Sequence, residues 1–249
     1  MKRALPTVAV LAGGLARRMR PLTESRPKAL LEVAGEPFIA HQLRLLRREG
    51  AAEVVLCLGY LGEQVEAFVG DGGRYGLAVR YSREGERLLG TGGALRRALP
   101  LLGSPFVVLY GDSYLDFAFA PVLEAFRASG LDGLMTVYRN EGAWDASNVV
   151  FEAGRILFYS KKVKRPDMRH IDYGLGILKA EVLRRYPADQ PFDLADVYAS
   201  LVETERLAGY EVTQRFYEIG SPAGLAETEA YLLRAAAAPG PAGDADGHD

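Results

Sequence analysis

The sequence predicts an α/β fold built on a largely parallel sheet, and three observations carry that prediction. Short runs rich in Val and Leu alternate with segments of helical periodicity. The first runs are apolar throughout, as expected of strands covered on both faces. With 49% apolar and 25% charged residues over 249 positions, one large domain can bury roughly three quarters of its unfolded surface. No Ser/Gly/Pro-rich linker interrupts the pattern, so a single domain is expected over residues 1–236. Residues 237–249, ending in APGPAGDADGHD, lack apolar periodicity and are expected to form a disordered tail.

The elements follow in order. TVAVLA (Thr7 to Ala12), EVVLCLG (Glu53 to Gly59) and PFVVLYGD (Pro105 to Asp112) predict the central strands. Between the first two, PFIAHQLRLLRREG predicts a helix, with Pro37 in its first turn, Phe38, Leu43 and Leu46 apolar, and Gly50 as its stop. Further helices are expected over Glu63 to Val69, Gly92 to Leu99 and Ala120 to Ser129. Past Gly130 the strand-like runs DGLMTVYR, SNVVFE and RILFYS follow closely, with Glu152 to Arg155 as a hairpin turn, so antiparallel strands should extend the sheet. Helices near Leu194 to Glu205 and Pro222 to Ala235 flank a last strand ending in YEIGS.

Cys57 is the one cysteine and reads as a small core residue. The opening MKRALPTVAVLAGG superficially resembles a secretory leader, but Gly13, Gly14, Arg17 and Arg18 break that pattern and a first strand explains it better. No run approaches the roughly 20 apolar residues of a membrane span. A cytoplasmic protein without membrane partners is expected.

Arg17, Arg18, Arg20, Arg26 and Lys28 crowd a dozen positions with only Glu24 against them, in a chain of net charge -2. A strand running into two glycines and then cations predicts anion binding at the carboxyl edge of the sheet. Glycine lets backbone N–H groups approach phosphate oxygens, and arginine supplies a planar fork of donors. No Gly-Lys-Ser/Thr follows, so this is not a P-loop, and GGLARR does not fit GxGxxG. The basic excess is local, which argues against nucleic acid. A solvated basic loop is the bland alternative.

Leu11 to Pro37, LAGGLARRMRPLTESRPKALLEVAGEP, closely resembles the signature of the sugar-phosphate nucleotidylyltransferases, LAGGxGTRLxPLTxxxPKxLxxVxGxP. GYLGEQVEAFVGDG, LLGTGGAL, VVLYGDSYL, YSKK, IDYGLGIL and YEIGSPAGL follow in the family's order. The resemblance implies a Rossmann-like three-layer sandwich with a central mixed, mostly parallel sheet, of the nucleotide-diphospho-sugar transferase type. It implies an enzyme whose partners are a nucleoside triphosphate and a sugar 1-phosphate, whose products are a nucleotide sugar and pyrophosphate, and whose cofactor is Mg²⁺. A homo-oligomer is compatible with it.

By the same resemblance Arg18 stabilises the triphosphate and departing pyrophosphate, and Lys28 bridges the α-phosphate and the sugar phosphate. Asp112 is catalytic and, with Glu218, ligates the metal. Leu11, Ala12, Gly13, Gly14, Arg17, Gly90, Thr91 and Gly92 bind the nucleotide, and Asn148, Lys162, Asp172 and Gly174 bind the sugar phosphate. The chain departs from the pattern at Ala16, where glycine is usual, and at Arg17, where threonine is common. Glu218 replaces an aspartate, and Lys161 replaces a glutamate that usually binds sugar hydroxyls. The later motifs look most like members that use GTP with a mannose- or heptose-type 1-phosphate. The alternatives are a glucose-1-phosphate thymidylyl- or uridylyltransferase and a non-catalytic nucleotide-sugar sensor. A nicotinamide oxidoreductase would need an acidic residue after strand two, which instead ends in CLGY.

Overall fold

The computed structural model describes residues 4–85, 87–144 and 146–237. Val8–Leu11 (β1) leads through a long loop to the two-residue strands Glu32–Val33 (β2) and Glu36–Pro37 (β3), then to Phe38–Arg48 (α1). Glu53–Leu58 (β4), Gly62–Val69 (α2), Ala78–Arg83 (β5) and Gly90–Ala98 (α3) come next, followed by Phe106–Tyr110 (β6), Ser113–Tyr114 (β7) and Ala120–Ser129 (α4). The second half holds Gly133–Arg139 (β8), Val149–Glu152 (β9), Arg155–Tyr159 (β10), His170–Leu178 (β11) and Ala180–Arg184 (α5). Leu194–Glu203 (α6), Leu207–Val212 (β12), Tyr217–Glu218 (β13) and Pro222–Ala237 (α7) complete it.

Nine strands form one sheet in the order β5-β4-β1-β6-β11-β8-β12-β10-β9. β5, β4, β1 and β6 are mutually parallel, with Val8 opposite both Val54 and Val107. β11 runs antiparallel to β6 and β8, while β12 is parallel to β8. β9 also touches β11, with His170 opposite Val149, so the far end of the sheet curls back on itself. The mixed sheet expected from the sequence is therefore present.

The two-residue alternation of extended chain feeds two cores from one strand. Val8 and Val10, with Val54 and Leu56, face Ile39, Leu43 and Leu46 of α1, Val65 of α2 and Phe126 of α4. Ala9, Val55 and Cys57 face Ala94 and Leu95 of α3 and Leu194, Val197 and Leu201 of α6. Three layers result. Ile39, Leu43 and Leu46 recur at helical spacing and are fully buried, each contributing about 1.5–3 kcal/mol. Gly50, at φ +95, ends that run in a conformation costly for other residues. Cys57 is buried, and burial pushes its thiol up to about 12, as befits a core residue.

Several expectations need correction. β5 was not anticipated: it is an edge strand in which only Val79 and Ser82 are buried and Ala78, Arg80 and Arg83 are exposed, so it lacks the apolar run that marks its neighbours. The strand expected to end in YEIGS is two: β12 joins the main sheet, whereas β13 leaves it to pair with β7. α3 starts at Gly90 rather than Gly92. α7 runs to Ala237, and the expected tail beyond it lies outside the described residues.

The close approach of β6 to β1 depends on Gly111. A Cβ there would stand 2.5 Å from the Leu11 carbonyl oxygen and 2.9 Å from Ala12 Cα. Gly111→Ala is expected to destabilise the fold by about 1–3 kcal/mol, because the two strand ends must separate. A thermal melt checks this, and an unchanged melting temperature would mean that the strand ends have slack.

Candidate active site

Both loops that matter leave the carboxyl ends of neighbouring parallel strands. The loop after β1 starts with Ala12, whose N–H reaches the Cys57 carbonyl at 2.9 Å. Ala16 has a left-handed backbone, φ 45, which explains why glycine is usual there. Thr23, buried, donates to the Ala16 carbonyl at 3.0 Å, and buried Met19 anchors the turn between them. Arg17, Arg18 and Arg20 are left exposed around this anchor. The loop thus spends its apolar residues on shape and presents its cations outward.

Lys28 opens a short 3-10 turn and places Nζ 2.6 Å from Asp112 Oδ2. Asp112 owes its place to the turn after β6, which α1 clamps. Gln42, fully buried, donates to the carbonyls of Tyr110 at 3.0 Å and Ser113 at 2.8 Å. Beyond that turn, β7 pairs with β13, so Ser113 lies opposite Glu218, and the Ile219 N–H donates to the Asp112 carbonyl at 3.0 Å. The backbones of Asp112 and Glu218, 106 positions apart in sequence, are thereby brought side by side at the start of this strand pair. Glu218 accepts from Ser221 Oγ at 3.0 Å and from the Gly220 N–H. An ideal Cβ at Gly220 would lie 3.2 Å from Arg18 Nη2, which puts the Arg18 guanidinium beside the Glu218 loop.

Two cavities adjoin here and share Tyr110 and Asp112. The smaller, about 230 Å³, is lined by Leu11, Ala12, Gly13, Gly14, Lys28, Gly90 and Thr91. The larger, about 450 Å³, is lined by Arg18, Asp172, Gly174 and Glu218. Six of the eight expected nucleotide residues thus line one cavity, and several of the expected sugar-phosphate and metal residues line the other.

Asp172 sits at the wall of the larger cavity and accepts from the Gly174 N–H at 3.1 Å, Tyr110 Oη at 3.3 Å and Tyr159 Oη at 3.4 Å. Enclosure raises its carboxyl above the ordinary carboxylate range, although the nearby Lys161 ammonium and these hydrogen bonds oppose the rise. Enclosure likewise pushes up the hydroxyls of Tyr110 and Tyr159.

Four expected residues are placed elsewhere. Lys162 is 88% exposed, 4.0 Å from Asp196, and lines neither cavity. Its neighbour Lys161 instead lies 5.5 Å from the Tyr110 ring centroid and 3.7 Å from Asp193. Asn148 Oδ1 accepts the Asp172 N–H at 2.9 Å and serves as a strand tie. Gly92 packs against the Phe192 ring rather than a cavity, and Arg17 is exposed and lines neither.

Sequence reasoning missed Gln42, Glu84, Trp144 and Arg215. Glu84 is buried in the smaller cavity, where a Cβ on Gly13 would meet its Oε1 at 2.5 Å. It accepts from the Leu89 N–H, and burial raises its carboxyl. Nothing in the run SREGER distinguishes it from a solvated loop.

Comparison with known proteins identifies the family and the fold. The model of the nucleotidyl transferase family matches residues 7–230. The N-acetylmuramate alpha-1-phosphate uridylyltransferase of Neisseria meningitidis serogroup B is 33% identical over 227 residues, covering 89% of this chain and 96% of that protein. The mannose-1-phosphate guanylyltransferase catalytic subunit beta of Drosophila pseudoobscura pseudoobscura is 31% identical over 86% of this chain, which spans 58% of that longer protein. HddC from Yersinia pseudotuberculosis superimposes with a TM-score of 0.76 at 20% identity, over 92% of this chain and 100% of that one, a likeness of fold. Among the described residues, no helix is long and apolar enough to cross a membrane. With a family match over nearly all of its described length and a relative matched almost end to end, the chain belongs to the sugar-phosphate nucleotidylyltransferases and is an enzyme of that class.

Proposed function

We propose that the smaller cavity receives a nucleoside triphosphate, the larger a sugar 1-phosphate, and that the two react beside Asp112 and Lys28. The observation that carries this reading is the shared wall: both cavities include Tyr110 and Asp112, and Lys28 Nζ stands 2.6 Å from Asp112. A phosphate oxygen of the sugar 1-phosphate attacks the α-phosphorus. The bond from the α-phosphorus to its bridging oxygen breaks, and pyrophosphate leaves with that oxygen. No net proton is consumed, so catalysis is alignment and charge neutralisation. Lys28 offsets charge where the two phosphates approach each other, and Arg18 offsets charge on the departing pyrophosphate.

Asp112 and Glu218 fit a hard divalent cation such as Mg²⁺. Both are oxygen donors at the wall of one cavity, and the Ser113–Glu218 pairing with the Ile219 N–H to the Asp112 carbonyl holds their backbones together. Among the described residues no group of three or more His, Cys, Asp or Glu could hold a metal ion. The remaining ligands would then be phosphate oxygens and water. The ion supplies charge neutralisation across the phosphates when bound.

GTP with a mannose- or heptose-type 1-phosphate is the preferred pairing. Glu84 is an acceptor in the smaller cavity, and a carboxylate complements the adjacent N1–H and N2–H donors of guanine better than an edge with one donor between two acceptors. The guanylyltransferase relative supports the same choice. A second reading, UTP with N-acetylmuramate 1-phosphate, is favoured by the relative that this chain matches along nearly its whole length.

Pyrophosphate release with Mg²⁺, measured across GTP, UTP, dTTP, CTP and ATP against mannose, heptose, glucose, N-acetylglucosamine and N-acetylmuramate 1-phosphates, separates these readings. Release confined to GTP with a manno-configured sugar supports the first, and release only from UTP pairings sinks it. Triphosphate binding without release from any pairing would favour a non-catalytic sensor.

A further inference from the structure

Trp144 is the chain's single tryptophan, and it belongs to neither large core. It is 47% exposed and lines the larger cavity together with Asp112, Asp172 and Glu218. The loop that carries it, between β8 and β9, is fastened at its base by buried Asn140. The Asn140 Oδ1 accepts the Trp144 N–H at 3.2 Å, and its Nδ2 donates to Ser147 Oγ at 3.3 Å.

One side of the indole is already taken. The Arg215 guanidinium carbon lies 3.5 Å from the Trp144 ring centroid and 5.0 Å from that of Tyr217. Tyr217 stacks on Tyr231 of α7 with centroids 4.1 Å apart and planes at 22°. Arg215 also pairs with Glu227 of α7. Indole, guanidinium and two phenol rings thus form a column that braces the loop against α7. A cation packed over an aromatic face is attracted to its quadrupole, which holds the ring in place without filling the cavity. Arg215, Tyr217 and Glu227 of this column also line the cavity, and the indole, 47% exposed, is its apolar surface at the loop end.

We propose that this surface receives the sugar ring of the sugar 1-phosphate, making Trp144 a specificity-determining residue and Arg215 the positioning residue that holds the indole. The inference rests on the proposed function, which assigns the sugar to the larger cavity. An indole offers a flat apolar face to the C–H face of a pyranose, while Asp172, which lines the same cavity, offers an acceptor to its hydroxyls. Neither acts on the α-phosphorus. Their loss should therefore appear in sugar binding and leave nucleotide binding alone.

Steady-state kinetics of Trp144→Ala are expected to show a KM for the sugar 1-phosphate raised on the order of tenfold, with the KM for the triphosphate changed less than about twofold. Trp144→Phe should restore most of that loss. Arg215→Gln should raise the sugar KM without lowering kcat in proportion, the pattern of a misplaced binding surface. A second readout needs no turnover, because the probe is the lone tryptophan itself. Mannose 1-phosphate and N-acetylmuramate 1-phosphate, titrated separately into enzyme holding GTP or UTP with EDTA present, should shift or quench Trp144 emission saturably for the sugar that is bound. An active enzyme whose emission does not respond, or whose Trp144→Ala variant keeps its sugar KM, overturns this inference and leaves the proposed reaction standing. Absence of pyrophosphate from every pairing overturns the reaction. The emission titration then still decides this inference: a saturable response upholds it, and a flat one overturns it.

Discussion

Lys28→Ala is expected to lower kcat by about 10²–10³ or more, the cost of removing one preorganised charge from the developing transition state. The pair it makes with Asp112 is 2.6 Å long but partly open to solvent, with 21% and 30% of the two side chains exposed. Such a pair contributes no more than about 1 kcal/mol to folding. Activity and stability should therefore separate: pyrophosphate release nearly lost, melting temperature nearly kept. Activity like that of the wild type would refute the role of Lys28. Loss of both together would show that the pair is structural.

The second large effect is expected at Asp112. Asp112→Asn keeps the size of the side chain and its backbone ties to Ile219 while removing the charge. If Asp112 holds the divalent cation, kcat should fall by about 10²–10³ and the Mg²⁺ concentration for half-maximal rate should rise well above that of the wild type. Unchanged Mg²⁺ dependence would move the ligand elsewhere. Glu218→Asp should act in the same direction but more weakly, since it withdraws the carboxylate by one carbon and keeps its charge. Lys28 and Asp112 touch, so the double variant Lys28→Ala/Asp112→Asn should lose less than the product of the two single losses.

What could be read from the sequence follows from where each signal resides. β1, β4 and β6 are buried on both faces, so their residues are apolar without interruption and stand out. β5 lies at the sheet edge and buries only Val79 and Ser82 among its six residues, which resembles an ordinary surface segment. Lys28 and Asp112 fall inside local motifs that carry their own spacing. Gln42 does not: a glutamine in mid-helix reads as solvated, and only the approach of β6 to α1 turns it into a buried clamp. The same holds for Trp144 and Arg215, which are 71 positions apart and meet only through the fold. Lys161 and Lys162 show the limit at its finest. Adjacent residues leave the chain in different directions, and no property of the pair KK states which one turns toward Tyr110.

The mounting of Glu218 has one more consequence. Its strand and α7 rest on a small cluster of Val33, Phe38, Leu45, Tyr114, Ile219 and Leu232, separate from the two large cores that flank the sheet. Segments with little apolar burial of their own open at lower free energy than the whole molecule. Detachment of this C-terminal unit would carry one carboxylate of the proposed reaction centre away while Lys28, Asp112 and the sheet stayed in place. On warming, the enzyme should fall silent before it unfolds, with amide exchange in α7 rising at temperatures where β1, β4 and β6 are still protected.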